Sequence, residues 1–212
     1  MSAEDVLQGD RGRALLNTFF TADTHFNHTA ILGLAKRDFP NVREMNSWLI
    51  ETWNAKVTQE RDHVWVLGDF GFNAPTREGT TDLGELFWKL RGVKHLIVGN
   101  HDYKNTQVLR LPWESIHDLW EFKQDGLRAV LCHSPLETWA GSWRGNLHFH
   151  GHCHGSLQRK IPKRFDVGVD TLLGASGPIP WEELKELGMK EEFVPVDGHG
   201  KAGRDDDKTY GG

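Results

Sequence analysis

Lys94-His95-Leu96-Ile97-Val98-Gly99-Asn100-His101-Asp102 shows in nine residues how the chain is organised. An apolar run of strand length meets a glycine. Three polar residues follow, each able to bind a metal, move a proton or close a turn. Reading outward, the arrangement recurs four times. Residues 14–22 (ALLNTFFTA) end at Asp23-Thr24-His25, and residues 63–70 (HVWVLGDF) stop at Gly68-Asp69. Residues 127–132 run into His133-Ser134-Pro135, and residues 146–150 lead into Gly151-His152-Cys153-His154. Each run is predicted as a buried strand with a polar residue at its carboxyl end. Ligand sites of open α/β sheets collect at that end, so five such strands predict one site at one sheet edge.

The intervening segments suit an α/β chain. Met45, Trp48, Leu49, Trp53 and Val57 recur at helical spacing within residues 42–57. Asn41 reads as the N-cap and Glu44 as its capping-box partner. A short helix is expected over 83–90, stopped near Arg91-Gly92. A late helix starts at Pro180, and a further strand covers 164–169. Residues 111–122 are ambiguous. Residues 1–13 are expected to form a flexible N-terminus, 14–196 a single domain, and 197–212 a disordered tail rich in Gly and charge.

Composition narrows the functional classes. With 38% hydrophobic and 26% charged residues, the 212-residue chain can bury a substantial core. A net charge of -5 without a basic stripe disfavours extended nucleic-acid binding. The opening Met1-Ser2-Ala3-Glu4-Asp5 lacks the apolar core of a secretory signal, and no apolar run reaches membrane-spanning length. The expected location is therefore the cytoplasm, with no membrane partner. Cys132 and Cys153 each adjoin a candidate ligand, but no C-x-x-C zinc spacing is present.

The five polar segments differ in what they say alone. Asp23 and His25, two apart after a strand, can offer a carboxylate and an imidazole to one side of a loop. Asp69, beside Gly68, can bridge two cations. Asn100 offers a neutral carbonyl oxygen, and His101 can reach a substrate without binding metal. Asp102 is expected to hydrogen-bond His101 and raise its basicity. His152 and His154 are two imidazoles in register with His148 and His150, which are expected to pack rather than ligate. If the strand continues, Cys153 points the other way and serves as a small buried thiol. Together the set would suit two divalent ions roughly 3.5–4 Å apart, an arrangement that supports phosphoryl chemistry. His28 and Arg144 lie near ligand segments and are candidates for phosphate contact, Arg37 a weaker one.

In order, D-x-H, G-D, G-N-H-D, H and G-H-x-H resemble the motifs of the calcineurin-like metallophosphoesterase superfamily, over residues 18–170. Smaller features resemble a bacterial and phage branch of it: Asp23-Thr24-His25-Phe26-Asn27-His28, Leu67-Gly68-Asp69-Phe70, His133-Ser134-Pro135 and Val167-Gly168-Val169-Asp170. Asn27 departs where that branch often has Gly, and Asp38 where it often has Pro. The resemblance implies a two-sheet β-sandwich flanked by helices, a four-layer α/β/β/α fold. It implies one metal on Asp23, His25, Asp69 and His154, and a second on Asp69, Asn100, His133 and His152. It further implies hydrolysis of a phosphomonoester or phosphodiester by a hydroxide bridging the metals, with His101 as general acid and Asp102 orienting it. The donors are oxygen and nitrogen, which suits Mn first, with Fe, Zn or Co as alternatives. The substrate is expected to be a small phosphorylated molecule, nucleotides among the candidates. The competing expectation is a metal-dependent scaffold of the same fold that binds a partner without turnover.

Overall fold

Strands β1 (Thr18–Thr21), β2 (His63–Val66) and β3 (Val93–Ile97) pair in parallel. Parallel neighbours need a crossover, and helices supply it. α1 (Ile31–Leu34) and α2 (Val42–Lys56) lie between the first two strands, and α3 (Leu83–Lys89) between the second and third. After α4 (Thr106–Leu109), β4 (Ser115–His117) joins in parallel at one edge, and β9 (Ile179–Pro180) adds antiparallel at the other. The sheet order is β4-β3-β2-β1-β9. This is a computed structural model, and it describes residues 17–72 and 80–192.

A second sheet runs β5-β6-β7-β8, formed by Leu119–Gln124, Leu127–Cys132, Leu147–His150 and Arg164–Asp166. Asp125 and Gly126, both at positive φ, make the tight hairpin between β5 and β6. β6, β7 and β8 are parallel.

Alternation along the strands builds two cores. Phe19, Val64, Val66 and Leu96 face the helices and pack with Met45, Leu49, Trp53, Leu86 and Phe87. Phe20, Trp65, Leu67 and Ile97 face the second sheet and meet Phe122, Leu131, Phe149 and Val167. Phe20 sits edge-on to Phe122 and Phe149 at centroid distances of 5.3 and 4.8 Å. α5 (Trp181–Lys190) adds Trp181 and Leu184 to this inner core. The two-sheet α/β sandwich expected from the sequence is the architecture observed.

α2 starts where the sequence places it: the Asn41 side chain accepts from the Arg43 and Glu44 N–H groups, each at 3.0 Å. Other boundaries move. The strand expected over 63–70 ends at Val66, because Gly68 and Asp69 turn left-handed with φ of 90° and 55°. The ambiguous 111–122 segment is two short strands belonging to different sheets, with only Asp118 between them. Residues 1–13 and 197–212 lie outside the described residues.

Candidate metal centre

Both sheets present the carboxyl ends of their parallel strands to one edge, and the predicted residues meet there. Asp23 and His25 follow β1, Asp69 follows β2, Asn100 follows β3, His133 follows β6, and His152 and His154 follow β7. Asp69 is at the centre. Its Oδ2 lies 3.7 Å from His25 Nε2, 3.5 Å from His133 Nε2 and 3.9 Å from His101 Nε2. Its Oδ1 accepts the His101 backbone N–H at 2.9 Å, which fixes the carboxylate's orientation. Asn100 Oδ1 lies 2.9 Å from His133 Nε2 and 2.8 Å from His152 Nδ1.

The backbone does unusual work to achieve this. Asp23, His25, Asn27, Asp69, His152 and His154 all have positive φ, between 48° and 71°. A left-handed residue other than glycine costs about 1–3 kcal/mol and persists only where its surroundings enforce it. Here it breaks the pleat at the strand ends, so successive side chains no longer alternate across the sheet. Two glycines allow the close approach. A Cβ on Gly99 would lie 2.3 Å from Asp69 Oδ1, and one on Gly151 2.6 Å from Asp23 Oδ2.

The polar groups suit a divalent cation. Asp23 is fully buried, its Oδ2 accepts the His152 N–H at 2.9 Å, and its Oδ1 has no partner. His25 Nε2 is likewise buried without a hydrogen-bond partner. Leaving such groups unpaired is costly. Donor atoms of Asp23, His25 and His154 lie within 4.8 Å of one another, as do those of Asp23, Asp69 and His133. Burial raises the Asp23 pKa and lowers those of His25 and His133, so the two imidazoles are held in the neutral form that a metal requires. The oxygen and nitrogen donors therefore fit a divalent cation.

Asp170, quoted in the sequence motif without a role, orients the site. It accepts from His154 Nδ1 at 2.6 Å, which turns His154 Nε2 away from it, and it forms a two-point pair with Arg37 at 2.8 Å per contact. Burial works against its charge, yet the His154 and Arg37 hydrogen bonds hold its pKa below the usual carboxylate range. The same Asp170 hydrogen bond raises the His154 pKa. Arg37 also donates to the carbonyls of Asp23 and Thr24. Its guanidinium is thus spent inside the fold and is not a phosphate contact. The signal in the sequence was the strand-then-polar pattern of Val167-Gly168-Val169-Asp170.

Asp102 requires a correction. Its Oδ2 accepts the N–H groups of Asp69 at 2.8 Å and Gly99 at 2.9 Å, and its Oδ1 accepts that of Phe70 at 3.2 Å. No hydrogen bond joins it to the His101 ring. It staples the Asp69 turn to the Asn100 turn, because three inward N–H groups outcompete one outward ring. Burial pushes its pKa up to about 6 against those donors. The His101 side chain is 44% exposed and stands between two clefts. One cleft, of about 720 Å³, includes His25, His28, Ile31, Leu34 and His154 in its walls; the other, of about 710 Å³, includes Phe72, Asn100 and Gln107. His28, whose Nδ1 is 3.2 Å from that of His25, lines the first. Arg144 packs over Trp143 at 4.1 Å and is in the wall of neither cleft.

The four histidines expected on one strand face divide instead. His148 and His150 stay in β7, but the chain leaves the strand after His150, and His152, Cys153 and His154 line one cleft together. His148 is fully buried, with Nδ1 bonded to the Val130 carbonyl and Nε2 accepting from Leu136 N–H. Asn27 stands at a left-handed position, and its side chain reaches Asn46, Phe72 and Thr81.

No family model matches the chain. An uncharacterised protein of Methanocaldococcus jannaschii is 33% identical over 180 residues, covering 83% of this chain and 93% of that protein. The gene 66 protein of mycobacterium phage L5 is 34% identical over 184 residues, covering 73% of this chain and 86% of its own. A crystal structure of a protein of unknown function from Aquifex aeolicus shares the fold, with a TM-score of 0.62 at 20% identity, over 82% of this chain and all of that one. Among the described residues no helix is long and apolar enough to cross a membrane.

Proposed function

We propose that the chain is a calcineurin-like metallophosphoesterase, a metal-dependent hydrolase of phosphoesters with diesters as its substrates. The observation that carries the reading is the Asp69 Oδ2 atom, which faces three imidazoles at 3.5–3.9 Å while the buried Asp23 Oδ1 and His25 Nε2 stand unpaired beside it.

Asp23, His25, Asp69 and His154 would hold one ion, and Asp69, Asn100, His133 and His152 a second. Two divalent ions, manganese in the first instance, supply charge stabilisation for a phosphoryl group and a nucleophile available at neutral pH. The protein's own groups do the rest. Asp69 would serve both sets, and the His101 N–H on its Oδ1 fixes the carboxylate's orientation. Asp170 and the Leu67 carbonyl hold Nδ1 of His154 and His133, which leaves each Nε2 for the ions. His101 stands at the junction of the two clefts and can reach a leaving oxygen without being a ligand. As the oxygen of a water that has given up one proton to solvent bonds to phosphorus and the P–O bond to the leaving group breaks, a proton from the His101 ring neutralises the departing oxygen. The diester reading is supported by the clefts themselves. Two spaces of similar size share His101 as a wall, one for each arm of a diester.

The test is turnover of bis(p-nitrophenyl) phosphate and p-nitrophenyl phosphate by the manganese-loaded protein, alongside metal content. We expect faster turnover of the diester, loss on chelation and recovery on adding metal back. Asp69→Asn should lose both ions. A protein holding close to two ions per chain that turns over neither ester, nor any of a panel of nucleotides, would establish the scaffold reading instead.

A further inference from the structure

The two clefts differ in chemistry, and the difference points to one arm of the substrate. The cleft beside α1 sets an aliphatic strip of Ile31, Leu34 and Ala35, with Leu34 75% exposed, beside the site's histidines and Lys36. The cleft beside α4 has one aromatic wall, Phe72, and faces it with Lys104, Asn105, Thr106 and Gln107. The Phe72 ring is held from several sides, by His28 at 4.4 Å, His101 edge-on at 5.5 Å and His25 stacked at 6.2 Å. Asn105 sets the separation of the walls. Its Nδ2 donates to the carbonyl of Gly71, the residue before Phe72, at 2.8 Å, while its Oδ1 caps α4. Asn105 is therefore used up internally. Lys104, Thr106 and Gln107 are exposed and keep their side-chain donors and acceptors for a ligand, with no hydrogen bond or ion pair among the described residues.

A fixed aromatic ring on one side and a free carboxamide and hydroxyl on the other suit a flat ring that carries donors and acceptors on its edge. A plain aryl group would use only the Phe72 wall and would cover the polar one without satisfying it. We propose that the α4 cleft is a nucleobase subsite: the base stacks on Phe72, its edge bonds to Gln107 and Thr106, and the substrate is a nucleoside phosphodiester whose other arm lies in the α1 cleft. This rests on the phosphodiesterase reading above.

Three diesters with the same p-nitrophenolate leaving group separate the two claims: the methyl, phenyl and thymidine 5′-esters of p-nitrophenyl phosphate. Stacking of a base on an aromatic side chain is worth roughly 5- to 100-fold. The thymidine ester should therefore exceed the methyl ester in kcat/KM by about tenfold or more. The phenyl ester should fall between them. Phe72→Leu should shrink both advantages over the methyl ester. Gln107→Ala should lower kcat/KM for the thymidine ester alone, by roughly 2- to 10-fold for a lost hydrogen bond, and leave the phenyl-to-methyl ratio unchanged. Thymidine 5′-monophosphate titrated calorimetrically into metal-free protein should bind more weakly to Gln107→Ala than to the unaltered chain. Equal kcat/KM for the three esters, or an unchanged thymidine-to-phenyl ratio in Gln107→Ala, would overturn the subsite and leave the phosphodiesterase standing. Hydrolysis of none of the three would overturn both.

Discussion

Asp102→Asn distinguishes a carboxylate that staples two turns from one that only steers His101. The aspartate satisfies three buried backbone donors: Asp69 and Gly99 through Oδ2, and Phe70 through Oδ1. An asparagine in the same rotamer keeps one oxygen for the first two. Its amide nitrogen then meets the Phe70 N–H donor to donor. The loss is one hydrogen bond to a charged acceptor, about 1.5–3 kcal/mol, together with the desolvation cost of a stranded buried N–H. Relief comes from no longer burying a charge whose pKa is already pushed up to about 6. The net expectation is a destabilisation of about 2–3 kcal/mol, or a fall in Tm of about 5–10 °C for a chain of this size. Urea denaturation of the chelator-treated variant at pH 7.5 measures it. Because Asp102 also holds the Asp69 N–H, metal content after dialysis should fall as well. A variant with unchanged urea midpoint and full metal content, reduced only in turnover, would refute the stapling argument and return Asp102 to His101.

The other predictions concern neighbouring parts of the same site. His101→Ala should keep its metal and its urea midpoint but lose turnover by roughly 10²–10⁴-fold. The loss should be smaller on p-nitrophenyl esters than on alkyl esters; equal, small losses on both would remove His101 from proton transfer. Asp170→Asn leaves the buried Arg37 without its two-point partner, so stability should fall by about 3–5 kcal/mol. Metal affinity should fall roughly 10- to 100-fold as His154 loses its anchor, both read by metal-dependent thermal shifts. Gly151→Ala drives a methyl group to 2.5 Å from Ala22 Cβ and 2.6 Å from Asp23 Oδ2. Calorimetry should show a loss of about 1–3 kcal/mol, and elemental analysis a deficit in bound metal. Burial lowers the His148 pKa to about 3 and keeps the ring neutral, against the hydrogen bond from Nδ1 to the Val130 carbonyl. From pH 6.5 down to about 3 the unfolded chain binds this proton and the folded chain does not, so stability is lost as pH falls, by up to about 1.4 kcal/mol per unit. Urea midpoints between pH 7 and 5 should drop less steeply in His148→Gln than in the unaltered chain, and parallel slopes would exclude His148 as the source.

Much of the fold and site was determined by local pattern. An apolar run ending in a polar turn is a strand and its carboxyl end, whatever the rest of the chain does, so the strands behind Asp23, Asp69, Asn100, His133 and His152 were legible one at a time. Helical spacing and the Asn41 cap placed α2 for the same reason. What tertiary structure alone decided is pairing across distance. The segment over 111–122 gave no period because its two strands serve different sheets, each completed by partners elsewhere in the chain. Asp102 was adjacent to His101 in sequence, but three backbone N–H groups brought together by β2 and β3 took its oxygens. Arg37 and Asp170, 133 positions apart, form a pair that no spacing could reveal. The left-handed turns at Asp23, Asp69 and His154 overrode strand alternation, because buried contacts enforce a backbone that local preference resists. Sequence fixes what each residue can do chemically, and the energy of the packed whole selects which neighbour it does it with.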